Sequence, residues 1–272
     1  MELKGKKLVF IGAGNMAEAL VKGVLKACLI EKDNLLVTDI NPKRLEFFNK
    51  ESGIKGINDN KEGIREANII ILSIKPQMMT NVLTEISDFL KPTQKIISIA
   101  AGITTRFIES KLTKEISVIR VMPNTPALVG HGATGICAGR YVHNEDMELT
   151  KTIFEAVGKV VVVKEDLMDT VTALSGCGPA YVFTIVEILT DAAVSLGLPQ
   201  DISLTLTIET IEGAVKMLKE TGEHPAILRD KVTSPGGATI AALNVLEEKG
   251  VRKAFLQALT AAANRSKELS RG

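Results

Sequence analysis

Apolar residues between positions 8 and 163 fall into short continuous runs, and most segments between the runs repeat with the period of a helix. The runs predict strands at 8–11, 34–40, 55–57, 68–74, 95–100, 116–121, 132–138 and 159–163. The helical period predicts helices after residue 14, from 41 onward, and at 60–65, 77–90, 104–111 and 145–156. Strands that alternate with helices favour an α/β fold with a doubly wound parallel sheet.

The pattern changes at residue 166, after which no strand-like run occurs. Helical periods follow at 168–196, 200–221, 236–248 and 251–269. We therefore predict an α/β domain at 1–163 and an all-helical domain at 164–272. Roughly a hundred residues of helix with broad apolar faces make a thin core, so part of this surface is expected to pack on a second subunit.

The first predicted strand leads into a glycine-rich turn and then a helix. Gly12 permits a tight turn, and Gly14 lets the backbone approach a ligand closely. Ala17 occupies the third position of this pattern, where a small residue packs against the strand. The N-terminus of the helix offers unpaired N–H groups to a phosphate. The stretch therefore predicts a dinucleotide-binding turn.

The end of the second predicted strand is where such folds distinguish NAD from NADP. An acidic residue there binds the ribose hydroxyls of NAD, whereas nearby basic residues accommodate the extra phosphate of NADP. Asp39 supplies the acid, while Asn41, Lys43 and Arg44 offer phosphate contacts. Lys43 and Arg44 are equally compatible with a solvated helix face, so the choice of cofactor stays open at this point.

Composition and charge exclude several other classes. The net charge is +1, aromatic residues make up 4% and Trp is absent, which argues against binding to nucleic acid or to an anionic membrane. The three Cys and three His residues are scattered, so we expect neither a metal site nor disulfides. The first strand begins near Met1 and the apolar segment 180–198 carries two acids, which predicts a cytoplasmic protein without a targeting segment.

A second glycine-rich turn precedes the predicted helix at 236–248. Ser234 suits the N-cap and Pro235 the first helical position, but Gly236 and Gly237 are poor helix formers. An ordinary cap does not explain two consecutive glycines. Bare N–H groups at a helix N-terminus are a good site for a carboxylate, and Thr239 adds a hydroxyl in the first turn. We favour a site for a small anion.

The stretch 173–183 combines glycines and Pro179 within a helical pattern. Such residues indicate a kink or a close approach to a partner or ligand, and close helix packing explains them equally well. Cys177 has no nearby base, so we do not expect it to act as a nucleophile.

Several motifs together make the chain resemble pyrroline-5-carboxylate reductases over essentially its whole length. They are Ile11-Gly12-Ala13-Gly14-Asn15-Met16-Ala17, Ile74-Lys75-Pro76, Ala100-Ala101-Gly102, the segments 122–126 and 174–181, and the segment 232–239. The resemblance implies an N-terminal Rossmann domain and a C-terminal helical dimerisation domain interleaved between two subunits. The active site would lie between the nucleotide domain of one subunit and helices of its partner. A homodimer, and in many members a ring of dimers, is therefore implied.

The resemblance also implies roles for individual residues. The pyrophosphate of NADPH, with NADH possible, would bind Gly12, Ala13, Gly14, Asn15, Met16 and Ala17. The adenosine end would lie near Asn41 and Asn60, and the nicotinamide near Ile74, Lys75, Pro76, Ala100 and Ala101. The substrate carboxylate would bind Gly236, Gly237 and Ala238 beside Ser234, with the ring nitrogen at Thr239 and Glu165 lining the pocket. Cys177 stands where Ser is frequent, and Lys231 where some members have Asn.

The implied reaction is hydride transfer to 1-pyrroline-5-carboxylate, which yields L-proline. A cyclic imine arrives partly protonated and needs little beyond positioning, whereas reduction of a carbonyl needs a strong acid. One alternative is a 3-hydroxyacid dehydrogenase. Enzymes of that group share the pattern Gly-x-Gly-x-x-x-Lys, and here Val182 stands at the position of the lysine. The other alternative is a non-catalytic NADPH sensor, which would have no need of a carboxylate site.

Overall fold

The structure is a computed structural model that describes residues 3–269. Eight strands form one sheet in the order β3-β2-β1-β4-β5-β6-β7-β8. They are β1 (Leu8–Ile11), β2 (Leu35–Thr38), β3 (Lys55–Ile57), β4 (Ile69–Leu72), β5 (Lys95–Ser98), β6 (Ser117–Met122), β7 (Gly132–Ala138) and β8 (Gly158–Val162). The order of the first five strands and their parallel pairing are those of a Rossmann-type sheet, as the sequence predicts.

The prediction of a parallel sheet is wrong at one pairing, beyond which the last two strands run opposite to the first six. β7 runs antiparallel to β6, pairing Ile119 with Ala138 and Met122 with Gly135. The connection spans only residues 123–131, and a parallel pair needs a crossover of a dozen or more residues, about the length of a helix with its loops. β8 is again parallel to β7 because a helix lies between them in the chain.

Helices cover both faces of this sheet. They are α1 (Asn15–Lys26), α2 (Pro42–Ser52), α3 (Asn60–Ile64), α4 (Met79–Ile86), α5 (Thr105–Ser110) and α6 (Asn144–Glu155). Successive side chains of β1 point to opposite faces, so Phe10 packs in the cluster that contains Leu20 of α1. Val9 packs in the cluster on the other face, which contains Leu83 of α4. The core therefore has two layers with the sheet between them.

The remaining helices form the C-terminal region. They are α7 (Met168–Val171), a π-helical turn (Thr172–Gly176), α8 (Gly178–Ser195), α9 (Gln200–Thr221), α10 (Pro225–Lys231), α11 (Ala238–Glu248) and α12 (Val251–Leu269). The π-helical turn interrupts the helix predicted at 168–196, and α10 is absent from the sequence prediction. α10 has only seven residues, which is too short a window for the helical period to stand out in the sequence.

The described chain divides into two compact units, one containing residues 3–177 with 261–269 and the other containing 178–260. Residues of the helical region belong to both units, and the predicted division between residues 163 and 164 stays a prediction.

The unit at 178–260 has little core of its own. Among its residues only Thr190, Ser203 and Thr207 are buried, whereas Phe183 is 67% exposed and Leu196 is 89% exposed. By length and composition alone, the described chain has one helical stretch that could cross a membrane, Glu165–Ser195, with a mean hydropathy of 1.4. Apolar helices that pack against other protein pass the same test.

Candidate active site

The turn after β1 has the backbone geometry that only glycine allows. Gly12 has a φ of +98°, and a Cβ atom there would lie 2.5 Å from the carbonyl oxygen of Ser73. Gly14 is the N-cap of α1 and makes no side-chain cap, and nothing lies within 4 Å of its Cβ position. The N–H groups of the first turn of α1 thus have no side-chain acceptor within the described chain, which is the arrangement that binds a phosphate at a helix N-terminus.

The carboxylate of Asp39 holds this turn. Its Oδ2 accepts the N–H of Ala13 at 2.7 Å, and its Oδ1 accepts the N–H of Asn41 at 2.8 Å. Both oxygens are thus bonded to backbone of the protein. Asp39 fixes the glycine turn to the end of β2, a role that the sequence reasoning did not assign to it.

Arg44 supports the same turn from α2. Its Nε donates to the carbonyl oxygen of Ala13 at 2.6 Å, and its Nη2 pairs with Glu18 at 3.1 Å. The guanidinium also lies over the ring of Phe47, 4.7 Å from its centre. Burial raises the pKa of Glu18, but hydrogen bonds from Lys22 and Arg44 outweigh it and lower the pKa below its usual value. Arg44 is therefore committed to contacts within the protein.

Lys43 differs from Arg44 although the two are neighbours in sequence. Its side chain is exposed and has no hydrogen-bond or ion-pair partner among the residues that the structure describes. The side chain of Asn41 caps α2 by accepting the N–H of Lys43 at 3.0 Å. Of the two basic residues predicted to bind a phosphate, only Lys43 has its charge free for an anion.

Asn60 lies at the carboxyl end of β2, as its predicted role near the adenosine requires. Its Oδ1 accepts the hydroxyl of Thr38 at 2.6 Å, and its Nδ2 donates to Glu85 at 3.0 Å. These bonds fix the orientation of the amide.

The loops after β4 and β5 bring the predicted nicotinamide contacts to the same edge of the sheet. The N–H of Ser73 donates to the carbonyl oxygen of Ile11 at 2.8 Å, and the side chain of Ile74 lies beside Gly12. Ala100 is buried directly after β5. In parallel sheets ligands bind at the carboxyl ends of the strands, so these loops are correctly placed for a dinucleotide.

The second glycine turn differs from its prediction in one respect. Gly237, and not Ser234, is the N-cap of α11, because Gly236 has a φ of +69° and turns the chain out of the helix. Pro235 consequently lies in the turn and not at the first helical position. A Cβ atom at Gly237 would lie 2.4 Å from the hydroxyl oxygen of Ser234.

The first turn of α11 has no side-chain cap. The N–H groups of Ala238 and Thr239 are therefore free for a ligand, and α11 is eleven residues long. Lys231 donates to both carboxylate oxygens of Glu223, at 2.6 and 2.7 Å.

Among the described residues, Glu165 contacts side chains and backbone of the unit that contains the sheet. Its two oxygens accept the N–H and the hydroxyl of Thr105, at 2.6 and 2.7 Å. The guanidinium of Arg120 lies 3.8 Å away. Its predicted contact with the substrate stays a prediction.

Arg120 and Asp169 were missed by the sequence reasoning. Arg120 is 3% exposed in β6 and also lies 3.6 Å from Asp169, whose Oδ1 accepts the hydroxyl of Ser266 at 2.6 Å. Burial and the nearby Glu165 raise the pKa of the Cys137 thiol to about 12. A charged residue within the apolar run 116–121 was the available signal, since Arg is almost never buried without a partner.

Within residues 3–269 no group of three or more His, Cys, Asp or Glu side chains is placed to hold a metal ion. The Rossmann-type sheet, the open helix N-terminus at Gly14 and the three loops beside it define a dinucleotide-dependent oxidoreductase with a helical C-terminal region.

Known proteins narrow this class. The family model described as pyrroline-5-carboxylate reductase dimerisation matches residues 165–269, and one described as NADP oxidoreductase, coenzyme F420-dependent, matches residues 7–102. A pyrroline-5-carboxylate reductase of Methanosarcina acetivorans is 42% identical, covering 99% of this chain and 100% of its own. A solved reductase from Coxiella burnetii has a TM-score of 0.92 and 41% identity, covering 97% of this chain and 98% of its own.

A Plasmodium falciparum pyrroline carboxylate reductase, solved with NADP bound, has a TM-score of 0.89 and 34% identity over 98% of this chain and 99% of its own. The chain belongs to the pyrroline-5-carboxylate reductase family. The resemblance inferred from its motifs is confirmed, as are the Rossmann-type fold and the helical dimerisation region. Homo-oligomerisation through that region accounts for the exposed apolar side chains of residues 178–260.

Proposed function

We propose that this protein reduces 1-pyrroline-5-carboxylate to L-proline at the expense of NADPH. The observation that carries the proposal is the uncapped start of α11, where Gly236 and Gly237 leave the N–H groups of the first turn free for a carboxylate. The substrate named for the relatives carries one carboxylate beside an imine. An uncapped helix N-terminus followed by the hydroxyl of Thr239 fits both groups.

The proposed site residues divide into two sets. The first set binds the cofactor: Gly12, Ala13, Gly14, Asn15, Met16 and Ala17 at the pyrophosphate, Asn41, Lys43 and Asn60 at the adenosine end, and Ile74, Lys75, Pro76, Ala100 and Ala101 at the nicotinamide. Arg44 supports the adenosine end through its bond to Ala13. The second set binds the substrate: Gly236, Gly237, Ala238 and Ser234 at the carboxylate, Thr239 at the ring nitrogen, and Glu165 at the pocket wall.

The reaction requires little from the protein except that it position the substrate and the cofactor. When bound, NADPH supplies the hydride and leaves as NADP⁺. As the hydride adds to C2 of the protonated imine, the carbon that becomes C5 of proline, the π electrons of the C=N bond move to nitrogen, which keeps its proton and becomes the amine of proline. Thr239 holds that nitrogen and its proton in place by a hydrogen bond. The N–H groups of the first turn of α11 hold the carboxylate, which fixes the ring against rotation.

We propose NADPH as the preferred cofactor, with NADH as a weaker alternative. The contacts of Asp39 support this preference, because both of its oxygens are bonded to the backbone of residues 13 and 41 and it is not left as a free ribose acceptor. Lys43 supports it too, because its charge has no partner within the described chain. The relative from Plasmodium falciparum, solved with NADP bound, agrees with this choice.

We further propose a cytoplasmic homodimer that can assemble into a ring of dimers, without nucleic-acid or membrane partners. The proposed domain division, 1–163 and 164–272, is supported by the dimerisation match, which begins at residue 165.

The proposal is tested by mixing the purified protein with NADPH and 1-pyrroline-5-carboxylate. We expect loss of nicotinamide absorbance and an equal molar amount of proline. A parallel reaction with NADP⁺ and a 3-hydroxyacid tests the alternative dehydrogenase, and we expect no reduction of NADP⁺. Oxidation of the 3-hydroxyacid without reduction of the imine would contradict the proposal.

A further inference from the structure

A buried arginine lies beside the loop that follows β5, and the proposed reaction makes no use of it. Arg120 pairs in register with Ser98, the last residue of β5, and is 3% exposed. Its guanidinium stands between two carboxylates, 3.8 Å from Glu165 and 3.6 Å from Asp169. Because Arg stays charged at all relevant pH values, it can hold two carboxylates together in a buried position.

Glu165 fixes the far end of this loop. Its two oxygens accept the backbone N–H and the side-chain hydroxyl of Thr105, the first residue of α5. Thr104 caps α5 through its own hydroxyl, which accepts the N–H of Phe107 at 3.1 Å. The chain leaving the loop is therefore held at 105 by a carboxylate from a segment sixty residues away.

Asp169 fixes the middle of the loop through a different element. It accepts the hydroxyl of Ser266 at 2.6 Å, in the last turns of α12. Leu269, one turn further on, covers Gly102, where a Cβ atom would lie 3.2 Å from the Cβ of Leu269. Gly102 is buried and has a φ of +75°, so the loop turns sharply beneath this leucine.

We propose that Arg120 is a positioning residue for hydride transfer. It holds Glu165 and Asp169, and these two anchors set where Ala100 and Ala101 stand against the nicotinamide. The inference rests on the proposed function, because it takes the loop 99–104 to contact the nicotinamide. Arg120, Glu165 and Asp169 do not touch the cofactor themselves. They act through Thr105 and through the last turns of α12.

The inference predicts that loss of these contacts lowers the rate of hydride transfer and leaves the affinity for NADPH nearly unchanged. Most of the binding contacts proposed for NADPH lie elsewhere, at the glycine turn after β1 and at Lys43. When the loop shifts, NADPH should bind with nearly unchanged affinity while its nicotinamide moves away from the reactive position. A displacement of about 1 Å in a reacting group costs on the order of a hundredfold in rate. A change that loosens only one of the two anchors, Glu165 or Asp169, should lower the rate by less than a hundredfold.

The test uses Arg120→Met, Glu165→Gln and Ser266→Ala, with Arg120→Lys as the conservative variant. We expect kcat to fall about 100-fold in Arg120→Met and about tenfold in Glu165→Gln and Ser266→Ala. The Kd of NADPH should stay within about twofold of the wild-type value. The deuterium isotope effect on kcat with labelled NADPH should rise, and Arg120→Lys should recover part of kcat because it keeps a charge between the carboxylates.

The matched control is Lys95→Met. Lys95 lies at the other end of β5 and pairs with the buried Asp146, so this change also breaks an ion pair next to the sheet. We expect it to lower the thermal midpoint and to leave kcat and the isotope effect unchanged. If Arg120→Met does not fold, Ser266→Ala decides the question, because Glu165 is also proposed to line the substrate pocket.

A second readout needs no substrate. The chain has no Trp, so the emission of the reduced nicotinamide can be recorded without tryptophan fluorescence. In the anchor variants the emission of bound NADPH should shift towards that of the free cofactor. An unaltered kcat and emission in folded anchor variants of an active enzyme would overturn the inference. So would a fall in kcat that only follows a loss of NADPH affinity. Absence of imine reduction by the wild-type protein would instead refute the proposed function.

Discussion

The carboxylate of Asp39 accepts the backbone N–H of Ala13 at 2.7 Å, so the end of β2 holds the glycine turn that follows β1. The same carboxylate accepts the N–H of Asn41, where α2 is about to begin. An acid in this place is commonly interpreted as a ribose contact that selects NAD. Here its two oxygens are bonded to the backbone of the turns that follow β1 and β2.

The first prediction concerns Asp39→Ser. Loss of two charge-assisted hydrogen bonds should loosen the turn and weaken NADPH and NADH alike, by about tenfold each. The ratio of the two dissociation constants should change little, because no contact that distinguishes the cofactors is removed. Titration of both cofactors by nicotinamide fluorescence measures this. A strong gain for NADPH with a loss for NADH would contradict it.

The second prediction concerns Lys43→Gln. Lys43 has a free charge, so its loss should weaken NADPH by about three- to tenfold and leave NADH unchanged. The preference for NADPH should also fall with added salt in the wild-type protein and change less in the variant. Lys50→Gln is the matched control, since Lys50 lies on the same helix and pairs with Glu46. An equal loss of both cofactors would remove this role from Lys43.

The first glycine turn shows which features can be predicted from the sequence and which cannot. The apolar run at 8–11 and the glycines at 12 and 14 predict the strand and the turn because each depends on neighbouring residues only. The bonds of Asp39 and Arg44 to Ala13 join residues 26 and 31 positions apart. Residue type and spacing place these side chains near the turn, but only the packed fold shows which atoms they bond.

Two errors have local causes. The antiparallel β7 follows from the short connection at 123–131, whose two prolines were interpreted as rigidity and not as a tight return. The start of α11 moved from 236 to Ala238 because Gly236 adopts a left-handed backbone conformation, which a pattern of side chains does not reveal. The contacts of Arg120 were missed for a non-local reason, since Arg120, Glu165 and Asp169, and Ser266 come from three separated segments.

The third prediction concerns Thr239→Val. Loss of one hydrogen bond to the imine nitrogen, about 1.5–3 kcal/mol, should lower kcat/KM roughly 10–100-fold. Thr239→Ser keeps the hydroxyl and should retain most of the activity. Thr260→Val is the control, because among residues 3–269 that hydroxyl donates only to the carbonyl oxygen of Leu256 within α12. An unaltered kcat/KM in Thr239→Val would remove this residue from the mechanism.

The fourth prediction concerns stability in acid. Burial raises the pKa of Asp146, but hydrogen bonds from Lys95 and from the backbone N–H of His143 outweigh it, and the pKa lies below its usual value. A carboxyl with a lowered pKa in the folded state contributes stability above its unfolded pKa, about 3.9, and loses it as the pH falls through the folded value.

Asp146→Asn should therefore cost about 1–3 kcal/mol of unfolding free energy at neutral pH, because Lys95 loses its charged partner. The gap between variant and wild type should narrow as the pH falls below about 4. Thermal unfolding across this range measures both effects. A gap that stays constant with pH would show that the ionised form of Asp146 contributes nothing.

The central claim is hydride transfer from NADPH to the imine carbon of 1-pyrroline-5-carboxylate, which becomes C5 of proline, and isotopic labelling tests it most directly. The wild-type protein is incubated with the imine and with NADPH that carries deuterium at the transferred position, and the product is examined by mass spectrometry and NMR. The account predicts L-proline with one deuterium at C5 for each NADPH oxidised. Unlabelled proline, or oxidation of NADPH without formation of proline, would contradict it.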